Sequence, residues 1–187
     1  MKIEKRKLSG TFEIILEPHF DNRGFFMRTY ERDIMVKFGI DRVWIHENQS
    51  RTISKHVIRG LHLQLPPYAE TKLIRVVHGA IWDVIVDLRK DSKTYGQWDA
   101  IELTENNFKC IYIPKGFAHG FCTLTENSEI LYKVDSPYHL PSERGILWSD
   151  PDLVIPWPTK SPTVSEKDSS NGLLKDFVSP FKGDLCE

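Results

Sequence analysis

The chain has 187 residues, enough for one domain with a substantial core, and its 25 Lys plus Arg against 26 Asp plus Glu leave a formal charge of -1. No basic block stands out, which excludes the electrostatic footprint of a nucleic-acid binder, and the longest apolar stretch, around 80–86, is interrupted by Asp83 and falls far short of the roughly 20 residues a membrane span needs. Three cysteines without metal-finger spacing, and an opening MKIEKRKLSG without an apolar core of signal-peptide length, point to a reduced, cytoplasmic setting.

In chain order, residues 11–17 (TFEIILE) are rich in strand formers and stop at Pro18. Residues 21–24 read as a turn and 25–30 as a short aromatic strand. Residues 31–38 form the best early helix candidate, with Ile34, Met35 and Phe38 on one face and Gly39 suited to the C-terminal cap. Residues 43–53 and 57–63 are predicted strands. In the second, Leu61 and Leu63 alternate with His62 and Gln64, so a period of two sets the leucines on one face and His62 with Gln64 on the other. Pro66-Pro67 ends it. Residues 71–89 are predicted as a hairpin turned at His78-Gly79, which returns Lys72 beside His62; in its second arm Ile81, Asp83, Ile85 and Asp87 share a face. Further strands are expected at 97–104, 107–113, 120–124 and Ser128–Val134, with Glu126-Asn127 as a turn. Short strands at roughly even spacing mean a sandwich or a barrel. After Ser136 the chain is proline-rich loop that folds back to shelter Trp148 and Trp157, followed by a helical turn at 173–177 and a frayed 182–187. One domain, 1–187, is expected.

Two stretches carry chemistry. RGLHLQLPPYAETKL, residues 59–73, sets His62 between Arg59 and Lys72; the bland alternative is a hydrogen-bonded core histidine with solvated flanks. IPKGFAHGF, residues 113–121, has the Pro-x-Gly-x-x-His spacing of the second cupin motif, a tight turn followed by a strand that projects His119 inward. A metal cupin with His62, Glu70 and His119 as ligands is therefore one candidate. Against it, Gln64 stands where the first cupin motif has its second histidine, and Lys72 brings a cation to the site.

Taken together, DNRGFF, NQS, RGLHLQ, KLIRVVHG, DVIVDLR, SKTYGQW, IPKGFAHGF, YKV, ERGILWSDP, IPWP and SEKD, in this order, resemble the dTDP-4-dehydrorhamnose 3,5-epimerase family from about Thr11 to Asp168. The resemblance implies an all-β, cupin-type jelly-roll barrel with short peripheral helices, working as a homodimer without cofactor or metal on a nucleoside-diphosphate 4-keto-6-deoxy sugar. It implies His62 as base with Asp168 as its partner, Tyr132 as the acid on the opposite face, and Lys72 as the cation near the carbonyl oxygen. Arg59, Arg23, His119 and Lys167 correspond to diphosphate-binding positions, Phe26 and Tyr138 to aromatics around the base, and Asn48 and Gln64 to further substrate contacts. A keto group at carbon 4 acidifies the hydrogens on carbons 3 and 5, so such a set has a chemical reason to exist.

The chain departs from the family at Arg28, where a glutamate is usual, at His46-Glu47-Asn48, where Gln-Asp-Asn is usual, and at Glu70, where a glutamine is usual. Arg28 and His46 would offer donors where the family offers a carboxylate and an amide, which leads to the expectation of a GDP-linked substrate, a heptose among the candidates, in place of a dTDP-hexose. A non-catalytic sugar-nucleotide binding barrel is the remaining alternative, and its mark would be a broken His–Asp pair.

Overall fold

A strand whose apolar residues alternate has one face to bury, and such strands become stable when two sheets pack face to face. The computed structural model, which describes residues 1–183, has this arrangement. In chain order the strands are β1 (Lys2–Lys5), β2 (Phe12–Ile15), β3 (His19–Asp21), β4 (Gly24–Phe26), β5 (His46–Thr52), β6 (Ile58–Gln64), β7 (Lys72–His78), β8 (Ala80–Asp87), β9 (Trp98–Thr104), β10 (Lys109–Ile113), β11 (Phe117–Thr123), β12 (Ser128–Val134) and β13 (Glu143–Gly145). Two short helices, α1 (Arg32–Val36) and α2 (Glu166–Ser169), are peripheral. The first sheet runs β1-β2-β10-β7-β12-β5 and the second β13-β6-β11-β8-β9, while β3 and β4 pair apart from both. This is the expected all-β jelly roll. Most of the tail expected to fray, and Cys186, lie outside the described residues.

The core between the sheets is built from the alternating positions. Ile81 and Ile85 of β8, Leu103 of β9 and Ile111 of β10 are fully buried and pack with Ile74, Phe121 and Ile130. Full burial stabilises each of these side chains by roughly 1.5–3 kcal/mol. The outer face of β8 is covered as well: Val84, Val86 and Leu88 lie under Trp82, Trp98 and Trp157, and Trp157 donates its indole N–H to the Trp148 carbonyl at 2.7 Å. The proline-rich segment after Ser136 thus shelters its tryptophans, as the sequence implied.

Residues 71–89 do not form the expected hairpin. Strands β7 and β8 belong to different sheets, and the chain crosses between them at Gly79, where φ is +73° and a Cβ would meet Thr125 Oγ1 at 2.4 Å. Alternation specifies which face of a strand is apolar; it does not specify which neighbours take its edges. Strand β8 pairs with β11 and β9, and β7 with β10 and β12. Lys72 therefore faces His62 from the opposite sheet. Elsewhere the expected strand at 25–30 shortens to β4, and α1 is one turn shorter than predicted, with Gly39 just beyond it at φ +78°. Strand β1 was not expected because Ile3 is its one buried residue.

Strands β6 and β11 approach each other closely in the second sheet. At Gly60, φ +119°, a Cβ would lie 2.6 Å from Gly120 Cα, and at Gly120 it would lie 2.7 Å from the Arg59 carbonyl oxygen. Both obstructions are backbone, so neither can swing aside. The register shifts between His119 and Phe121 at this point, with His119 opposite His62. Gly120→Ala is expected to destabilise the fold by about 1–3 kcal/mol, the usual cost of overpacking, read as a lower urea midpoint at unchanged slope.

Candidate active site

Toward one end the two sheets part, and the space between them is a cavity of about 810 Å³, within the usual range for small-molecule sites. The first sheet lines it by period two: His46, Asn48 and Ser50 from β5, Lys72 and Ile74 from β7, Ile130, Tyr132 and Val134 from β12. Register aligns them in rows, with Tyr132 opposite both Asn48 and Ile74, and Val134 opposite both His46 and Lys72. The second sheet contributes Arg59, His62 and Gln64 from β6, His119 and Phe121 from β11, and Glu143 from β13. Tyr138 and residues 163–165, 167 and 168 close the rim. Ile74, Phe121 and Ile130 belong to the core cluster and give the cavity an apolar floor.

His62 Nε2 lies 2.6 Å from Asp168 Oδ1, and Asp168 Oδ2 accepts the Gly60 N–H at 3.0 Å. An ionised carboxylate only accepts, so Nε2 carries the hydrogen and Nδ1 keeps its lone pair. Asp168 is 4% exposed. Its burial opposes the charge, yet the hydrogen bonds from His62 and Gly60 and the positive charge of Lys167 outweigh it and hold the carboxyl below its ordinary range. Helix α2 sets its position: the Ser165 hydroxyl accepts the Asp168 N–H and caps the helix.

His119 makes a second such pair, its Nε2 at 2.8 Å from Oδ2 of fully buried Asp83; among the described residues Asp83 Oδ1 has no hydrogen-bond partner. Lys72 Nζ is 3.2 Å from Glu70 Oε1. Tyr132 is partly buried, and its pKa is raised by that burial and by the negative charge of Glu70, against the opposing charge of Arg59. At the mouth, Glu143 accepts from Lys167 at 2.6 Å and from Tyr138 at 2.8 Å. Burial works against the Glu143 charge, but these two hydrogen bonds keep its carboxyl below the usual range.

The cavity therefore gathers His62, Tyr132, Asp168, Lys72, Arg59, His46, Asn48, Gln64, His119, Tyr138 and Lys167. Gln64 departs from expectation in one respect: its amide is spent on the protein, donating to the carbonyls of Tyr68 and Pro137 and accepting the His139 N–H at 2.6 Å. Arg23, Phe26 and Arg28 lie outside this cavity. Arg23 pairs with Asp21 and Arg28 with Glu31, both on the exposed surface, and Phe26 is 71% exposed. Within a single chain the expected donor pair is thus reduced to His46. The metal alternative fails on its donors: His62 is turned to Asp168, His119 to Asp83 and Glu70 to Lys72, and among the described residues no three His, Cys, Asp or Glu side chains converge as a metal set. Asp83 and Glu143 were missed from sequence. Asp83 gave a signal as a carboxylate on an isoleucine face, whereas Glu143 gave none beyond its place in ERGILWSDP.

Comparison with known proteins converges on one family. The profile of the dTDP-4-dehydrorhamnose 3,5-epimerases matches residues 5–176. The dTDP-4-dehydrorhamnose 3,5-epimerase of Shigella flexneri is 44% identical over 158 residues, covering 83% of this chain and 87% of that one. The crystal structure of the Bacillus anthracis enzyme of the same name, with TDP and PPi bound, superposes with a TM-score of 0.90 at 42% identity, covering 92% of this chain and 98% of the other. The Legionella pneumophila dTDP-6-deoxy-D-glucose-3,5-epimerase, in complex with dTDP-4-keto-L-rhamnose, gives a TM-score of 0.90 at 35% identity over 95% of this chain and 94% of its own. These neighbours give no support to the guanine nucleotide or the heptose.

Asp168→Asn keeps the volume of the side chain but loses two charge-assisted hydrogen bonds, and is expected to cost about 1.5–3 kcal/mol at neutral pH. The folded carboxyl titrates below its unfolded value, so its contribution is present above the unfolded range and is lost as pH falls through the folded value. Urea unfolding of both proteins should show the gap between them closing as pH is lowered from about 7 toward 3.

Proposed function

The chain belongs to the dTDP-4-dehydrorhamnose 3,5-epimerase family, and we propose that it inverts carbons 3 and 5 of a dTDP-linked 4-keto-6-deoxy sugar through an enolate, in deoxysugar synthesis for a surface polysaccharide. The observation that carries this reading is His62 on one sheet, paired with Asp168 of α2, and Tyr132 on the other sheet, all bordering one cavity. Inversion needs a base on one face of the ring and an acid on the other, and two sheets facing each other supply both.

In the proposed reaction His62 Nδ1 takes the proton from carbon 3 or carbon 5. The C–H bond electrons move into the ring and charge collects on the oxygen at carbon 4, where Lys72 stabilises it. Asp168 holds the imidazolium that results. Tyr132 then delivers its phenolic proton to the opposite face, the enolate collapses to the ketone, and solvent returns a proton to the tyrosinate and removes one from His62. Arg59, His119 and Lys167 hold the diphosphate, for which guanidinium geometry is suited, and His46 and Asn48 border the nucleoside. No step calls on a cofactor.

We assign the working form as a homodimer. Strands β3 and β4 present Phe20, Phe25 and Phe26 at 67%, 53% and 71% exposure, and Arg23 beside them, outside the chain's own cavity. An aromatic hairpin of this kind is costly in water and gains its function by reaching a second copy. Light scattering is expected to give twice the chain mass; a fully active monomer at assay concentration would rule the dimer out.

The reaction is tested by deuterium wash-in from heavy water into dTDP-linked and GDP-linked 4-keto-6-deoxy sugars. Wild type should exchange at carbons 3 and 5 of the dTDP sugar. His62→Asn should lower exchange by about two to four powers of ten, while Tyr132→Phe should keep exchange and lose inversion. Exchange persisting in His62→Asn near the wild-type rate would sink the assignment of the base.

A further inference from the structure

Glu70 is a charged cavity group that the reaction above does not use. It lies in the loop between β6 and β7, and the backbone on either side is fixed: Ala69 and Thr71 are buried, and the Thr71 N–H donates to Asp135 at 2.6 Å. Its two oxygens face two different sheets. Oε1 meets Lys72 Nζ at 3.2 Å, and Oε2 accepts from Gln64 Nε2 at 3.3 Å. Gln64 cannot follow the carboxylate if it moves, because its amide is also tied to Tyr68, Pro137 and His139. The side chains of Glu70 and Lys72 are only 14% and 12% exposed, so the pair is poorly screened by solvent.

We propose that Glu70 is a positioning residue for the epimerisation: it fixes the Lys72 ammonium against the cavity wall and sets a negative charge in the same cavity that Tyr132 lines. An ammonium has three donors. One engages Glu70, and the others remain for the oxygen at carbon 4. Without the carboxylate, the four-carbon stem of Lys72 gains rotamer freedom and the cation is no longer held at one point.

The charges around Tyr132 single Glu70 out. Lys72 and His46 border the cavity from neighbouring strands, and Arg59, His62 and His119 from the opposite sheet, all of them basic groups. Of the acidic groups in the lining, Asp168 is bonded to His62, Glu143 to Lys167 and Glu70 to Lys72, and among them it is the charge of Glu70 that raises the Tyr132 pKa. This inference rests on the reading of Tyr132 as acid and Lys72 as enolate partner, so its test includes a measurement that needs no turnover.

Tyrosinate absorbance is followed against pH in wild type, Glu70→Gln and Glu70→Asp, each taken as the difference from the same protein carrying Tyr132→Phe. Glu70→Gln is expected to move the Tyr132 titration to lower pH, with the alkaline limb of inverted-product formation moving the same way and kcat for inversion falling on the order of tenfold with a smaller change in KM. Glu70→Asp, which keeps the charge, should restore most of both. A Tyr132 titration in Glu70→Gln that coincides with wild type would overturn the proposal, as would equal shifts in the Gln and Asp variants. Absence of wash-in by wild type would instead count against the epimerase reading, with the titration still deciding the part played by Glu70.

Discussion

The buried carboxylate of Asp168 is the contact on which the rest of this site depends. It joins the Gly60 N–H and the His62 ring, 108 and 106 residues away in sequence, to a four-residue helix at the end of a segment with almost no regular structure. An unpaired buried carboxylate would cost several kcal/mol, so the α2 segment is held wherever those two donors stand. The same contact decides which imidazole nitrogen is basic. Folding and the proposed proton transfer therefore draw on one interaction, and the proline-rich segment that carries it is as much a wall of the site as the strands are.

The division of labour between the sheets follows from topology. Because β6 and β7 lie in different sheets, the residues between Pro66 and Thr71, which turn on the bond from the Tyr68 N–H to the Leu65 carbonyl, form a bridge from one sheet to the other instead of a hairpin loop. Glu70 and Gln64 meet at this bridge. A histidine and a tyrosine at the same spacing on one sheet would approach a bound ring from the same side. Separated onto facing sheets, they can approach it from opposite sides, which is the geometric requirement of inversion.

Much of this was legible in the sequence because period two survives in single strands. Leu61 and Leu63 are buried while His62 borders the cavity, as the alternation required. IPKGFAHGF was legible as a turn and an inward histidine, and the resemblance, not any period, joined Asp168 to His62. What could not be read was pairing. Nothing in residues 71–89 records that β7 and β8 part company at Gly79, since a hairpin and a sheet crossing present the same alternation. Helix α2 is too short to show a period. Gln64 lies on the side of β6 that sequence indicated, yet its amide is used by three loop backbone groups whose positions depend on the tertiary fold. Asp83 was visible as a carboxylate on an apolar face, and only the β8–β11 pairing shows that His119 is its partner.

The departures at positions 28, 46 and 70 have unequal physical consequences. Arg28 is exposed and forms a single ion pair with Glu31, three residues on, and a pair of this kind contributes at most about 1 kcal/mol and reads nothing inside the cavity. His46 borders the cavity at the end of edge strand β5, where solvent competes for its hydrogen bonds. Glu70 is different, because its carboxylate, only 14% exposed, is held between Lys72 and Gln64 and its charge raises the Tyr132 pKa. A carboxylate in place of an amide there leaves the shape of the cavity almost unchanged and alters the charge felt by Lys72 and Tyr132, to which the proposed reaction gives an oxyanion and a proton. Of the three departures, it is the one positioned to affect the proposed chemistry.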